Sequence, residues 1–300
     1  MDGIIAINKP KGPTSHDVVA RLRRLTGVRR TGHTGTLDPM AEGVLVCCLG
    51  QATRVVPYLV GLPKEYTGEM TLGASTDTYD AEGRIVPGAD PSGVTSDALV
   101  DVMRSLTGVI DQEAPPFSAV KVNGKRLYEL ARQGKETPRK VRTVRVERFD
   151  LVRYLAPRAL FVARVGSGTY IRSLVHAVGQ RLGCGAYLSA LCRTRVGAFH
   201  VDDAVSLDAL QAHPEEALSA SLLSIAEGLA HLPKITISPR AEERLRSGGT
   251  FTLDDVLECA GPQPVGEPVL VLSASGEALS IAKAEAEDAP YRPLRVLGAP

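Results

Sequence analysis

Apolar positions along this chain recur in two rhythms, one of strands and one of helices. Residues 3–8, GIIAIN, form an apolar run that predicts an opening strand, and the turn-forming Lys9-Pro10-Lys11-Gly12-Pro13 ends it. A helix is expected from Ser15: Val18, Val19, Leu22 and Leu25 recur at helical spacing, Arg21, Arg23 and Arg24 point elsewhere, and Gly27 suits the position past its end. Residues 44–49, VLVCCL, are an unbroken apolar run of strand length, which predicts a buried strand. A short helix is expected around 52–60. Residues 64–72, KEYTGEMTL, carry the mixed pattern of a half-exposed strand with Tyr66 near its start. Helical spacing returns at 97–106, strands at 144–152 and 159–165 pair across Ala156-Pro157, a helix covers 170–182, and a strand covers 187–199 with Arg193 and Arg195 at alternate positions.

Beyond residue 200 the pattern changes. Residues 201–232 contain no Lys or Arg and 6 acids, and predict short helices packed on the outside. From 233 a smaller unit begins: a strand at 235–237, a helix at 240–246, strands near 269–272 and 279–282 joined at Ser275-Gly276, and a last strand near 294–297. The expected class is α+β, with a mixed, largely antiparallel sheet flanked by helices in residues 1–232 and a small β-rich domain in 233–300. A Lys- and Arg-rich excursion at about 115–145 interrupts the first domain.

The stretch TGHTGTLDPMAEGVLVCCL, 31–49, concentrates the candidate chemistry. Gly32, Gly35 and Gly43 bracket Asp38, and Pro39 pushes Asp38 out of helical geometry, so the carboxylate should stand on a stiff loop against a buried strand. A lone aspartate in such a loop most often only shapes a turn, so the rest of the chain has to show otherwise. Arg172 sits in the first turn of its helix, where the dipole favours an acid, so it should answer to a negative group elsewhere. In TDTYDAE, 76–82, Asp77 and Asp80 lack further ligands in a recognisable metal-binding pattern; hydrogen bonds that order the loop are the expected use.

Charge narrows the function. The net charge is +1, but residues 1–200 carry +10 and residues 201–300 carry −9. Residues 9–30 hold 7 basic side chains against 1 acidic, and residues 118–145 hold 9 against 2, which points to a polyanion, nucleic acid above all. Five cysteines, none in a CxxC pair, read as reduced core residues, and the HxE and PCxxC signatures of a zinc deaminase are missing. No apolar run is long enough to span a bilayer and the start of the chain has no secretory pattern, so a cytoplasmic protein is expected.

Five motifs, NKPKGPTSHDVV (8–19), GHTGTLDPMAEGVL (32–45), KEYTG with TDTYDAEG (64–68 and 76–83), PPFSAVKVNGKRLYELARQG (115–134) and GTYIRSL (168–174), run in the order found in the TruB family of tRNA pseudouridine synthases, which the chain closely resembles. The resemblance implies conversion of a T-arm uridine of tRNA to pseudouridine, with no cofactor, no membrane and no obligatory protein partner, by a monomer. It implies that Asp38 is the essential carboxylate, that Arg172 pairs with it and keeps it ionised, and that Tyr66 packs on the target base and handles its proton. It further implies that His33 enters the RNA fold beside the flipped nucleotide, that Tyr170 and Leu191 line the pocket, that Lys9 supports the loop, and that Asp80 joins the polar network. The insert at 115–145 would clamp the tRNA, and the last domain would be PUA-like. The competing reading from the residues is a non-catalytic tRNA-binding or tRNA-folding protein; a hydrolytic nucleosidase is a third.

Residues 233–300 hold 7 basic against 10 acidic side chains, a poor grip for RNA. Truncation after Leu232 is therefore expected to weaken tRNA binding by less than about 100-fold, roughly 2.7 kcal/mol, provided the remainder folds. A larger loss in a filter-binding titration contradicts this.

Overall fold

All but one residue of the opening strand, β1 (Gly3–Lys9), is buried, and the same holds for β3 (Glu42–Leu49), so both must lie inside a sheet covered on two faces. The structure, a computed structural model, describes residues 1–118, 121–122, 125–126, 140–259, 265–286 and 289–297. Much of the basic insert expected at 115–145 lies outside the described residues.

Chain order then gives β2 (Thr31–His33), β4 (Lys64–Leu72), a small hairpin of β5 (Ala74–Thr76) and β6 (Ile85–Pro87), β7 (Gly108–Glu113), the two-residue strands β8 (Lys121–Val122) and β9 (Lys125–Arg126), β10 (Val141–Leu155), β11 (Arg158–Val165) and β12 (Ala186–Val196). After them come β13 (Phe199–His200), β14 (Val205–Ser206) and β15 (Leu222–Leu223). The main sheet runs β14-β1-β3-β12-β4-β11-β10-β7, with β2 on β3, β13 on β12 and β15 on β1. Among these, β1 with β14 and β12 with β3 are parallel; the other pairs are antiparallel. This is the mixed, largely antiparallel sheet expected.

Alternation along β1 and β3 explains the unbroken apolar runs. Ile5, Ile7, Leu45, Cys47 and Leu49 face one core with Val18, Leu22, Leu37 and Met40, whereas Ile4, Val44, Val46 and Cys48 face a second with Val55 and Leu59. The helix Ser15–Thr26 and the helix Ile171–Leu182 cover the first face. Both end on a glycine in the left-handed region, Gly27 and Gly183.

The C-terminal unit is a second sheet, ordered β17 (Val256–Cys259), β16 (Lys234–Ile237), β18 (Val269–Leu272), β19 (Ala278–Lys283), β20 (Arg292–Val296). One face packs Val269, Val271 and Leu279 under the helix Pro239–Arg246 and the stacked rings of Phe251 and Tyr291. From the other, Leu270 and Ile281 join Leu297 in the second core, against Ile4 and Val46 of the main sheet.

Several expectations need correction. Residues 201–232 are more than outer helices, because β14 and β15 both pair with β1 and complete that edge of the sheet. The helix expected at 52–60 is a 3-10 turn, Gly50–Val55, followed by a helix at Val56–Val60; Pro57 has no amide to donate, so it starts a helix and does not continue one. Strand β7 was hidden by its composition, GVIDQE, in which Val109 faces outward. The first helix is capped by Thr14, with Asp17 completing a capping box, which leaves the Ser15 hydroxyl for another use. Among the described residues no helix is long and apolar enough to cross a membrane.

Because the second core is shared by both sheets, removing the C-terminal unit would uncover apolar surface of the first. Ile281→Ala, at a fully buried position, is expected to lower stability by about 2–5 kcal/mol in urea denaturation. A change below about 0.5 kcal/mol would show that the two sheets do not share a core.

Candidate active site

The loop between β2 and β3 is fixed through its main chain, nearly residue by residue. Arg193 on β12 donates from Nη2 to the Gly35 carbonyl at 3.0 Å and from Nη1 to the Thr36 carbonyl at 3.4 Å, while its Nε donates to the Val44 carbonyl at 2.7 Å. Ser15 Oγ accepts from the Leu37 amide at 2.8 Å and donates to the Leu37 carbonyl at 3.0 Å. The Ala41 amide donates to the Asp38 carbonyl, and the Gly12 amide donates to the Pro39 carbonyl at 2.8 Å. Lys9 Nζ, fully buried, donates to the carbonyls of Pro10 and Pro13 at 2.9 Å and reaches Pro39 at 3.5 Å. Gly43 allows the close approach behind the loop: its φ is +99°, it lies opposite Arg193 in the parallel β3/β12 pair, and a Cβ there would overlap the Arg193 carbonyl.

Main-chain anchoring leaves the Asp38 carboxylate to do something else. Arg172, one residue into its helix and only 5% exposed, places Nε 2.9 Å from Asp38 Oδ2, an ion pair without the alignment of a hydrogen bond. The same guanidinium lies 3.3 Å from Asp80 Oδ2 and donates to the carbonyls of Thr78 at 2.9 Å and Phe117 at 3.2 Å. Asp80, 2% exposed, also accepts from Thr78 Oγ1 at 2.5 Å and from the Glu82 amide at 3.0 Å. Removing one member of such a buried pair typically costs about 3–5 kcal/mol, because the partner charge is left uncompensated.

The electrostatics of Asp38 are a balance of opposed effects. Arg172 does pull the Asp38 pKa down, but burial pushes it up harder and the Asp80 charge adds to the rise, so the net shift is upward despite the help of Lys9. The Asp38 side chain nevertheless stays 36% exposed, open to a substrate. Burial also lowers the Lys9 ammonium's pKa, against the pull of Asp38, and raises that of Glu82, with Asp80 and Asp38 adding to it.

The remaining candidates divide into two groups. Tyr66 on β4 and Leu191 on β12 are each 8% exposed and share the first core with Leu37 and Met40, the neighbours of Asp38. Tyr170 caps the helix that carries Arg172; its amide and carbonyl are both bonded to the Gln112 side chain, and the Arg142 guanidinium lies 5.6 Å from its ring centroid. His33 ends β2 and meets His16 edge-on at 5.6 Å; its Nδ1 accepts from the Gly35 amide. Its pKa is lowered by burial first, then by His16 and Arg193. Asp77 accepts from the Arg84 amide at 2.8 Å, so the acidic stretch is ordered by hydrogen bonds.

Sequence reasoning missed Arg193, Ser15, Thr78 and Glu82. The signal for Arg193 was present, since an arginine on a strand that must be buried needs acceptors. Nothing in the local pattern around Ser15 says that its hydroxyl leaves the helix cap for Leu37.

Residues 23–171 match the family model described as TruB family pseudouridylate synthase (N terminal domain), and residues 172–230 match that of the tRNA pseudouridylate synthase B C-terminal domain. The tRNA pseudouridine synthase B of Geobacillus thermodenitrificans is 42% identical over 305 residues, covering 99% of this chain and 99% of that protein. Its namesake from Syntrophotalea carbinolica is 43% identical over 258 residues, 86% of this chain and 84% of the relative. Among solved structures, an H/ACA RNP bound to a substrate RNA containing 2'-deoxyuridine superposes with a TM-score of 0.76 at 27% identity, over 99% of this chain and 85% of that one. A Cbf5-Nop10-Gar1 complex gives 0.76 at 29%, over 99% and 84%.

Ser15→Ala removes a buried donor and acceptor pair from the loop and strands two main-chain groups of Leu37. The expected cost is about 1–3 kcal/mol of stability by chemical denaturation. An unchanged midpoint would mean that the loop is held without Ser15.

Proposed function

The chain belongs to the TruB family of pseudouridylate synthases, and from that membership we propose how its residues divide the work of turning a tRNA uridine into pseudouridine. The reaction breaks the bond from ribose C1′ to uracil N1, turns the base and rejoins it through C5. Nothing is oxidised and no group enters or leaves, so the protein has to supply position, an ionised carboxylate and a place for the detached base.

Asp38 acts on the ribose, by attack at C1′ or by removing the 2′ proton; both routes need it ionised. The observation that carries this reading is the ion pair of a partly exposed Asp38 with a buried Arg172, on a loop whose main chain is tied down at residues 35–39. Tyr66 and Leu191 form the wall beside Leu37 against which the extruded base stacks, and Tyr66 handles its proton. His33 and Tyr170 approach the RNA around the flipped nucleotide, Asp80 fixes the guanidinium, and Lys9 fixes the loop. Extrusion costs a few kcal/mol, and phosphate contacts from the basic segments at 9–30 and 118–145 offset it.

The finer assignments belong to the same proposal. The substrate uridine lies in the T arm, the protein works as a monomer in the cytoplasm without an obligatory protein partner, and the catalytic domain ends at Leu232. The C-terminal sheet then contributes more to the fold than to RNA affinity.

Asp38→Asn is expected to leave tRNA binding within a few fold and to abolish pseudouridine formation, read as tritium release from uracil C5; retained turnover excludes the role given to Asp38. The wild-type pH profile of kcat should show an acid limb above the ordinary aspartate value of 3.8, because activity appears as Asp38 ionises and its pKa is raised. Arg172→Gln should move that limb further up, since the guanidinium opposes the shift. A limb that moves down contradicts the pairing.

A further inference from the structure

Tyr79 is the one non-glycine residue with positive φ, +65°, among the described residues, and its ring stacks on His176 with centroids 3.8 Å apart and planes within 11°. Both partners adjoin the guanidinium site. Tyr79 stands between Thr78, whose carbonyl accepts from Arg172, and Asp80, whose carboxylate pairs with it. His176 follows Arg172 by four residues on the same helix and therefore lies on the same face, one turn along.

We propose that the Tyr79–His176 stack is a positioning element of the catalytic site, which holds the 78–80 turn in register with the helix of Arg172 so that Thr78, Asp80 and Asp38 all meet one guanidinium. The inference rests on the roles given above to Asp38 and Arg172. Left-handed backbone at a bulky residue is strained and persists where surrounding contacts over-determine it. Here the turn is held by the Tyr79 amide donating to Thr76, by the Leu188 amide donating to the Tyr79 carbonyl at 3.0 Å, and by Thr78 and Glu82 donating to Asp80. Glycine or asparagine would sit in this conformation with less strain, so the aromatic ring has a use that outweighs the cost. One such use is the face of His176, on which the ring stacks. The Nδ1 atom of His176 is buried and has no hydrogen-bond partner among the described residues, so this nitrogen does not orient the ring, and the stack is the contact that can. Burial keeps the imidazole pKa low, which leaves a neutral ring to stack on the phenol.

Two points of attachment tie the turn to the helix of Arg172. Arg172 grips residues 78 and 80, and the His176 ring covers residue 79 between them. The turn's own hydrogen bonds keep its shape; without the stack it is less firmly registered on the helix of Arg172, Asp80 shifts against the guanidinium, and Arg172 no longer stands where Asp38 needs it.

The test uses the full chain and unmodified tRNA, with His176→Ala, His176→Phe and Tyr79→Asn compared with wild type. His176→Ala and Tyr79→Asn are expected to lower single-turnover kcat by about 10- to 100-fold, the range for small misplacements of reacting groups, with KM within about threefold. Their acid limb should rise, since a displaced Arg172 no longer lowers the Asp38 pKa. His176→Phe keeps a flat ring, removes the unpartnered nitrogen, and is expected to recover kcat to within about threefold of wild type. Asparagine accepts left-handed backbone, so Tyr79→Asn separates activity from folding should His176→Ala be unstable. The proposal is overturned if both ring-removing variants keep wild-type kcat and acid limb, or if His176→Phe loses as much as His176→Ala. An inactive wild type, or an active Asp38→Asn, would instead overturn the reading of the site itself.

Discussion

A buried guanidinium can be kept only if its donors are answered, and the site is built around how Arg172 solves that problem. Its charge is shared between two carboxylates, while two remote carbonyls, those of Thr78 and Phe117, take remaining donors. Each partner comes from a different part of the chain: the loop after β2, the turn after β5, the segment after β7, and the helix Ile171–Leu182 itself. The ion pair is thus a junction of four segments more than a local contact. Of the two carboxylates paired with Arg172, Asp38 is the one with substantial exposure, and so the one placed to meet a substrate.

Two other buried cations make that junction possible without competing for it. Lys9 and Arg193 lie beside the loop and give their donors to main-chain carbonyls, which fixes the loop and leaves the Asp38 carboxylate to pair with Arg172. Behind them, β3 is packed on both faces and Gly43 lets β12 approach it in parallel, so the loop has a rigid floor. Stiffness of this kind lets a carboxylate be aimed before the substrate arrives, which is where preorganised sites gain their advantage over water.

Legibility in the sequence followed the range of the interactions. The Asp38-Pro39 loop, the buried strand after it and the amphipathic first helix were readable because each is decided by neighbours within a few residues. Even Arg172 announced its need for a partner, because a cation in the first turn of a helix opposes the dipole. What stayed hidden depends on residues brought together from far away. Ser15 reads as a helix start and serves Leu37, 22 residues on; Arg193 reads as one of two strand arginines and supports a loop 158 residues earlier. The strands β14 and β15 are two residues each, too short to carry a period, and exist because β1 has an open edge to cover. The upward shift of Asp38 was out of reach for the same reason: pairing with arginine can be guessed from motifs, but burial depends on the whole fold.

The division of charge along the chain fits that shift. Asp38, Asp80 and Glu82 bring three acids to one place, and their mutual repulsion already favours protonation of Asp38 and Glu82. An approaching phosphate backbone adds negative potential in the same direction, and each unit of further rise in pKa is about 1.36 kcal/mol against the ionised acid. Arg172 is the immediate counterweight, and Lys9 acts on Asp38 in the same sense. The basic residues of the first helix add positive charge to the same domain at longer range. A chain of nearly neutral total charge can therefore bind a polyanion and keep an acid ionised, provided that its positive charge is gathered on the domain that holds the acid. The excess of +10 in residues 1–200 over −9 in the remainder meets that condition.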